Sequence, residues 1–364
     1  VSIAADMTGD AIDAALARRR LRTLILFLLL GAGVVIVSGL SIGTGALALA
    51  PSRVVAVLRA VLTGTVPDDM ARDALVVVGI RLPRTLLGVL VGASLAVSGA
   101  LMQGLFRNPL ADPGLAGVSS GAALFAAGMI VLGERLVALT GPLPFITLPM
   151  AAFGGALLTT FTLYRIATRA GRTSVATLLL AGVALGALAG ALTGVLTFLS
   201  DDRQLRDLTF WSLGSLGGAT WAKTATVAPA ILPVLVAVPF LARGLNALAL
   251  GEAEAFHLGI AVERVKQVAI FLVAVAVGAS VAVSGIIGFV GIVVPHLLRL
   301  AIGPDHRVLL PASALFGGIL LVLSDMLART LVQPAELPIG IVTAAIGAPF
   351  FLWLLLTGRR SLAL

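Results

Sequence analysis

The chain has 364 residues, 59% of them hydrophobic and only 12% charged, with a mean hydropathy of +1.11. A soluble domain carries about 25% charged residues, so an ordinary soluble fold is excluded and a polytopic membrane protein is indicated. Net charge is +8, which in such a chain reflects cationic cytoplasmic loops and implies no nucleic-acid partner. There is no cysteine, and neither lysine (Lys223 or Lys266) closes a Gly-Lys-Ser/Thr phosphate loop. Disulfides, thiolate metal sites and a nucleotide site of that type are therefore excluded.

Residues 1–22 read as a cytoplasmic N-terminal tail and residues 23–364 as a single transmembrane domain. Arg18, Arg19, Arg20 and Arg22 precede the apolar run Leu24–Leu40. With Ala48-Leu-Ala50 this has the order of a signal peptide, but the apolar core is long and Pro51 follows the cleavage-like site directly. It is read as the first span, N-terminus inside. Pro51–Leu62 reads as a short amphipathic external helix with Arg53 and Arg59 on its polar side. Arg81-Leu-Pro-Arg84 opens a second span, which runs to about Phe106, and the prolines of Arg107–Pro113 separate it from the next.

Spans three to five are expected at about Gly114–Leu132, Leu143–Ile166 and Ala176–Leu199. They are joined through Thr140–Pro144 and through Ala167–Thr177, whose small polar tip is Thr173-Ser174. Span five is rich in Gly and Ala, which let helix backbones approach closely. The longest polar interval, Ser200–Trp221, ends in an aromatic-anchored turn, Phe210–Gly218. Span six follows at about Ala222–Leu241.

Between spans six and seven lies Gly244–Ile260, too short and too charged to cross a bilayer. Asn246 suits an N-cap, and Gly251 is expected to weaken the helix without breaking it. These residues leave two readings open: a helix docked to something outside the membrane, or a solvated loop. Spans seven to ten fall near Val262–Ser284, Ile286–Ile302, Val308–Thr330 and Leu337–Thr357, with Arg359 and Arg360 near the end. With about ten spans, the inner segments take most of the 25 basic residues and the outer segments come close to balance. That satisfies the positive-inside bias with both termini cytoplasmic.

Val91-Gly-Ala-Ser-Leu-Ala-Val-Ser-Gly99 recurs as Val277-Gly-Ala-Ser-Val-Ala-Val-Ser-Gly285, differing only at Leu95 and Val281. The copies fall in spans two and seven, so they run in opposite directions, as an inverted repeat requires. The first half covers about residues 75–199 and the second about 262–357. Small faces on both helices predict close packing at the centre.

Several phrases resemble a known family: Arg81-Leu-Pro-Arg84, Gln103–Pro113, Leu180-Ala-Gly-Val-Ala184, Gly285–Gly291 with Pro295-His296 and Arg299, and Leu337-Pro-Ile-Gly340 with Thr343 and Gly347-Ala-Pro-Phe350. They are collinear from about residue 75 onward and are similar to the FecCD-type permeases of type II ABC importers for heme, ferric siderophores and vitamin B12. The resemblance implies an all-α fold of ten helices in the bacterial cytoplasmic (inner) membrane, in contact with membrane lipid. It implies a homodimer with two ATPase subunits below and a periplasmic substrate-binding protein above. No cofactor is then bound permanently, and ATP belongs to the partner.

By the same likeness, residues 246–258 are the coupling helix in a cleft of the ATPase. Leu248, Leu250, Phe256 and Leu258 supply its apolar side, and Glu252, Glu254 and His257 its polar rim. Arg81, Arg84 and Arg329 would meet acidic residues of the binding protein. Read from the residues alone, they anchor at the interface, Asp325 pairing with Arg329 at i,i+4. Thr173, Ser174, Val175 and Ala176 resemble the cytoplasmic gate, while Ser174 also suits a helix N-cap. His296 could ligate heme iron in transit or cap the helix near Pro295. None of the three histidines pairs with another at i,i+4, so no metal cluster is expected. The likeness of Asp207–Gly218 to heme permeases ranks heme first as cargo, then ferric siderophores, then cobalamin.

Two other functional classes fit the sequence less well. An ion-coupled secondary transporter also uses inverted repeats but needs ionisable residues at mid-membrane, and these spans keep nearly all charges at their ends. An intramembrane hydrolase lacks both a Gly-x-Ser-x-Gly elbow and a paired His-Glu motif.

Overall fold

The computed structural model describes residues 9–45, 49–140 and 147–357. Residues 1–8 of the tail, Ala48, the turn after Thr140 up to Pro144, and Arg359 and Arg360 lie outside them. Helix α1 (Gly9–Gly43) is followed by α2 (Pro51–Leu62). A continuous helical rod then runs from Asp68 to Phe106: a 3₁₀ turn, α3 (Ala71–Ala74), a π-helical stretch over Leu75–Arg81, and α4 (Leu82–Phe106). Next come α5 (Val118–Thr140), α6 (Leu148–Ala167), a two-stranded hairpin of β1 (Thr168–Arg169) and β2 (Arg172–Thr173), and α7 (Val175–Phe198). Helices α8 (Asp202–Ser212), α9 (Trp221–Ala237), α10 (Ala242–Leu248), α11 (Glu252–His257) and α12 (Val262–Ser284) lead into α13 (Val290–Ile302), α14 (His306–Thr330) and α15 (Ile339–Thr357).

Among the described residues, eight helices are long and apolar enough to cross a membrane, and two shorter apolar ones, in α13 and α15, join them. The ten expected spans are thus present. Two predicted elements coincide with the observed ones at both ends, Pro51–Leu62 and Val262–Ser284. On α2, Val54 and Val57 are buried against Ile42 and Val77, while Arg53 faces away to pair with Asp69 and Asp73.

The two repeat-bearing helices, α4 and α12, form the buried centre of the bundle. Helix α4 lies antiparallel to α14: Arg84 meets Asp325, Gly92 meets Gly317, and Gly104 meets His306. A Cβ at Gly92 would land on the Gly317 carbonyl. Its repeat mate Gly278 instead faces Phe153 and Ala156 of α6. Exchanging the halves turns the α4–α14 contact into the α12–α6 contact, the symmetry expected of an inverted repeat. The two central helices also join directly, through Ser94 Oγ donating to the Ala276 carbonyl at 2.9 Å.

Four readings of the sequence need correction. The cationic residues 18–22 do not precede the first helix but stand within it, because α1 already begins at Gly9. Span two extends back to Asp68, so Arg81 and Arg84 lie inside a helical rod instead of opening it. Pro83 lacks the N–H that Gly79 O would receive in an α-helix, and the backbone is π-wound directly ahead of it. The polar interval after span five folds into α8, capped by a reciprocal box between Asp201 and Gln204. Span eight loses its first turn, because Gly285 and Phe289 take φ of 68° and 67° and helix α13 starts only at Val290.

Candidate functional site at the two ends of the bundle

Helices α10 and α11 cover one end of the bundle. They are two helices, not one, and the break is Gly251, at φ 133°. Only glycine adopts that conformation without strain, and the Glu254 carboxylate folds over the place a side chain would occupy. Asn246 is accordingly not an N-cap. It sits inside α10, where Nδ2 donates to Asp305 at 2.8 Å and Oδ1 accepts the His306 backbone N–H at 2.9 Å. Arg19 completes this cluster with a 2.9 Å ion pair to Asp305. Burial pushes the Asp305 carboxyl up, but hydrogen bonds from Asn246 and the Arg307 N–H, with the nearby arginine charges, hold it below the usual carboxylate range.

The break divides the predicted docking residues. Leu250, Phe256 and Leu258 are 67, 71 and 57% exposed, and Glu254 and His257 are exposed beside them. Leu248 is only 2% exposed and belongs to the core with Leu245, so its expected place on the docking surface is withdrawn. The positive φ of Gly251, directly before α11, swings that helix out of register with α10, which is why one helical face does not serve both.

Glu252, the first residue of α11, is also exposed, yet its carboxylate pairs with Lys266. That lysine is 2% exposed, and its Nζ donates to Glu252 (2.8 Å), to Glu263 (3.1 Å) and to the carbonyl of Thr173 (2.9 Å). Glu263 also accepts the Thr173 backbone N–H at 2.9 Å. In the sequence Lys266 serves only to exclude a phosphate loop, although its spacing three residues after Glu263 on one helix is a readable sign of pairing.

Of the predicted gate residues, Thr173 is buried in this network at the end of β2 and Ser174 is exposed. Val175 is half-buried and Ala176 exposed on the first turn of α7. Ser174 does cap α7, its Oγ accepting from the Thr177 N–H. The tip of the connector is not Thr173-Ser174 but Ala170-Gly171, both at positive φ, the two-residue turn that matches strand twist.

At the opposite end Arg81, Arg84 and Arg329 come together, but as buried groups, 5, 7 and 6% exposed. Arg84 holds Asp325 and reaches Glu336 at 2.9 Å. Arg329 pairs with Asp325 at 3.1 Å, as the i,i+4 spacing suggested. Arg81 donates to the carbonyls of Ile42 and Gly43, and Arg329 to those of Ser41 and Thr44. These carbonyls end helix α1 and have no partner within it, so two arginines from other helices cap it. The arginines' hydrogen bonds and ion pairs are thus made within the chain.

The turn Phe210–Gly218 lies at this end, held by Ser215 N–H to the Ser284 carbonyl (2.7 Å) and by the Ile339 and Gly340 N–H groups to Gly214 and Leu213. His296 does not cap near Pro295. Its ring sits edge-on to Phe350 at 6.1 Å, and neither ring nitrogen has a hydrogen-bond partner among the described residues.

Residues 17–357 match the model of the FecCD transport family. The chain is 51% identical over 282 residues to the hemin transport system permease protein HmuU of Yersinia pestis, covering 78% of this chain and 83% of that one. It is 48% identical to the cobalamin import system permease protein BtuC of Halobacterium salinarum, covering 78% and 74%. With the vitamin B12 import system permease protein BtuC of Salmonella typhi it shares 47% over 80% and 86%. A solved structure described as an inward-facing metal-chelate type ABC transporter superposes with a TM-score of 0.78 at 34% identity, over 91% of this chain and 98% of that one.

Proposed function

The chain belongs to the FecCD transport family as a multi-pass permease of an ATP-driven importer, and on that premise we propose that it carries heme inward across the bacterial inner membrane. Two copies form the conduit, with α7 and its small residues along the shared axis. Separate ATPase subunits grip α11 from the cytoplasm, and a periplasmic binding protein delivers cargo at the other end. Both termini are cytoplasmic, and no cofactor stays bound.

The observation that carries the ATPase assignment is the exposed trio Leu250, Phe256 and Leu258, on α11 and in the turns flanking it, outside any span. Apolar anchors ringed by Glu254 and His257 are the anatomy of a protein–protein contact. The binding-protein surface is then backbone and rim around the buried arginines, including the half-exposed Glu336. Thr173, Ser174, Val175 and Ala176 form the inner gate. For cargo, support comes from the hemin permease relative and from the Asp207–Gly218 turn.

The test is uptake into proteoliposomes holding the chain, its ATPase and its binding protein, with heme, a ferric siderophore and cobalamin run in parallel. ATP-dependent heme uptake is expected. Uptake of another chelate alone would overturn the cargo, and uptake on an ion gradient without ATPase would overturn the mechanism.

A further inference from the structure

Lys266 joins three elements that sequence keeps apart. Its ammonium group is buried at the start of α12, and its three acceptors belong to α11 (Glu252), α12 itself (Glu263) and the α6–α7 hairpin (Thr173). Glu263 closes the figure by accepting the Thr173 N–H. Thr173 is thereby held by both its N–H and its C=O, one residue before the cap of α7.

The energetics favour concerted motion of these parts. The buried ammonium loses a charge-assisted partner if Glu252 leaves and a carbonyl if Thr173 leaves, so each departure is penalised even though Glu263 stays with it. Displacement of α11 therefore costs least when the hairpin follows. Phe256 of α11, with Leu250 and Leu258 beside it, is exposed and lies outside this network. Gly251 lets α11 swing relative to α10, and Ala170-Gly171 lets the hairpin tip bend while Thr173 stays fixed.

We propose that Lys266 is the positioning residue that transmits movement of α11 to the gate at Thr173–Ala176. This rests on the reading of α11 as the ATPase-docking element. The chain lacks cysteine, so Ala176→Cys gives a single thiol whose maleimide labelling rate reports the gate without reference to cargo. The assembled complex would be labelled with and without ATP, in the Lys266 parent and with Lys266→Met, Lys266→Arg or Glu263→Gln.

In the parent the two rates should differ on the order of tenfold. With Lys266→Met they should converge to within about twofold, while ATPase still co-purifies and still hydrolyses ATP. Lys266→Arg should restore much of the difference, and Glu263→Gln, a milder change, should reduce it. Should Lys266→Met fail to fold, Glu263→Gln decides the matter. An undiminished nucleotide response in the variants would overturn the proposal, as would parallel loss of hydrolysis and response. If the parent itself does not retain ATPase, the docking assignment fails instead.

Discussion

Arg84 and Asp325, 241 residues apart, are bound through Nε at 3.1 Å and Nη2 at 2.9 Å, with both groups buried. The pair clamps the start of α4 to the end of α14, and Asp325 serves Arg329 as well. Removing the carboxylate leaves two buried guanidinium groups short of a counter-charge. Asp325→Ala is expected to destabilise the fold by about 3–5 kcal/mol, the scale for breaking a buried pair. A lowered melting temperature in detergent, with recovery in Asp325→Glu, checks it.

Because Arg81 and Arg329 cap α1, charge reversal at either should act on folding before it acts on docking. Buried acceptors left unpaired cost about 1–3 kcal/mol each, and the new carboxylate would face backbone carbonyls. Arg81→Glu and Arg329→Glu are expected to lower folded yield equally at low and high salt. Size-exclusion profiles at two ionic strengths measure this; a defect confined to low salt would restore a surface role.

The glycine contacts at the centre differ in what opposes them. At Gly92 the obstacle is the backbone of Gly317, whereas at Gly31 there is open space. Gly92→Ala should cost about 1–3 kcal/mol by overpacking, and Gly31→Ala should be neutral or slightly stabilising. Thermal denaturation of the two purified variants gives the comparison.

Phe256→Asp should leave a folded permease that no longer retains its ATPase, because the ring is exposed and the change touches no core contact. Loss of an anchor of this kind costs 2 kcal/mol or more, roughly a thirtyfold drop in affinity. Leu248→Asp, by contrast, should fail at folding, since Leu248 is core. Co-purification of tagged ATPase, after each variant is checked for monodispersity, separates the two outcomes.

Gly251→Ala places a side chain where φ is 133° and where the Glu254 carboxylate lies. The strain is on the order of 1–3 kcal/mol. The expected result is faster amide exchange across α11 with little change in α12 or α14, read by hydrogen exchange on the assembled chain.

Hydropathy and charge placed the spans closely, because a helix in lipid must satisfy its own backbone and so writes its length locally as apolar residues. That is why Val262–Ser284 needed no correction, while the external helix Pro51–Leu62 was marked by its proline start and its polar side. The α10–α11 region was legible as a short charged segment between spans. Its break was not, because a glycine's φ leaves no trace in composition.

What only the tertiary structure decided is the fate of the charges. Arg84, Arg329 and Lys266 find acceptors 241, 288 and 93 positions away, on helices whose neighbours no local pattern names. The sequence alone placed Arg329 and Lys266 near helix ends, and put Arg84 at the head of a span that the structure extends back to Asp68. Whether such a cation faces solvent or is buried depends on which other ends the bundle brings beside it, since burial is tolerated only where a counter-charge or free carbonyls are waiting.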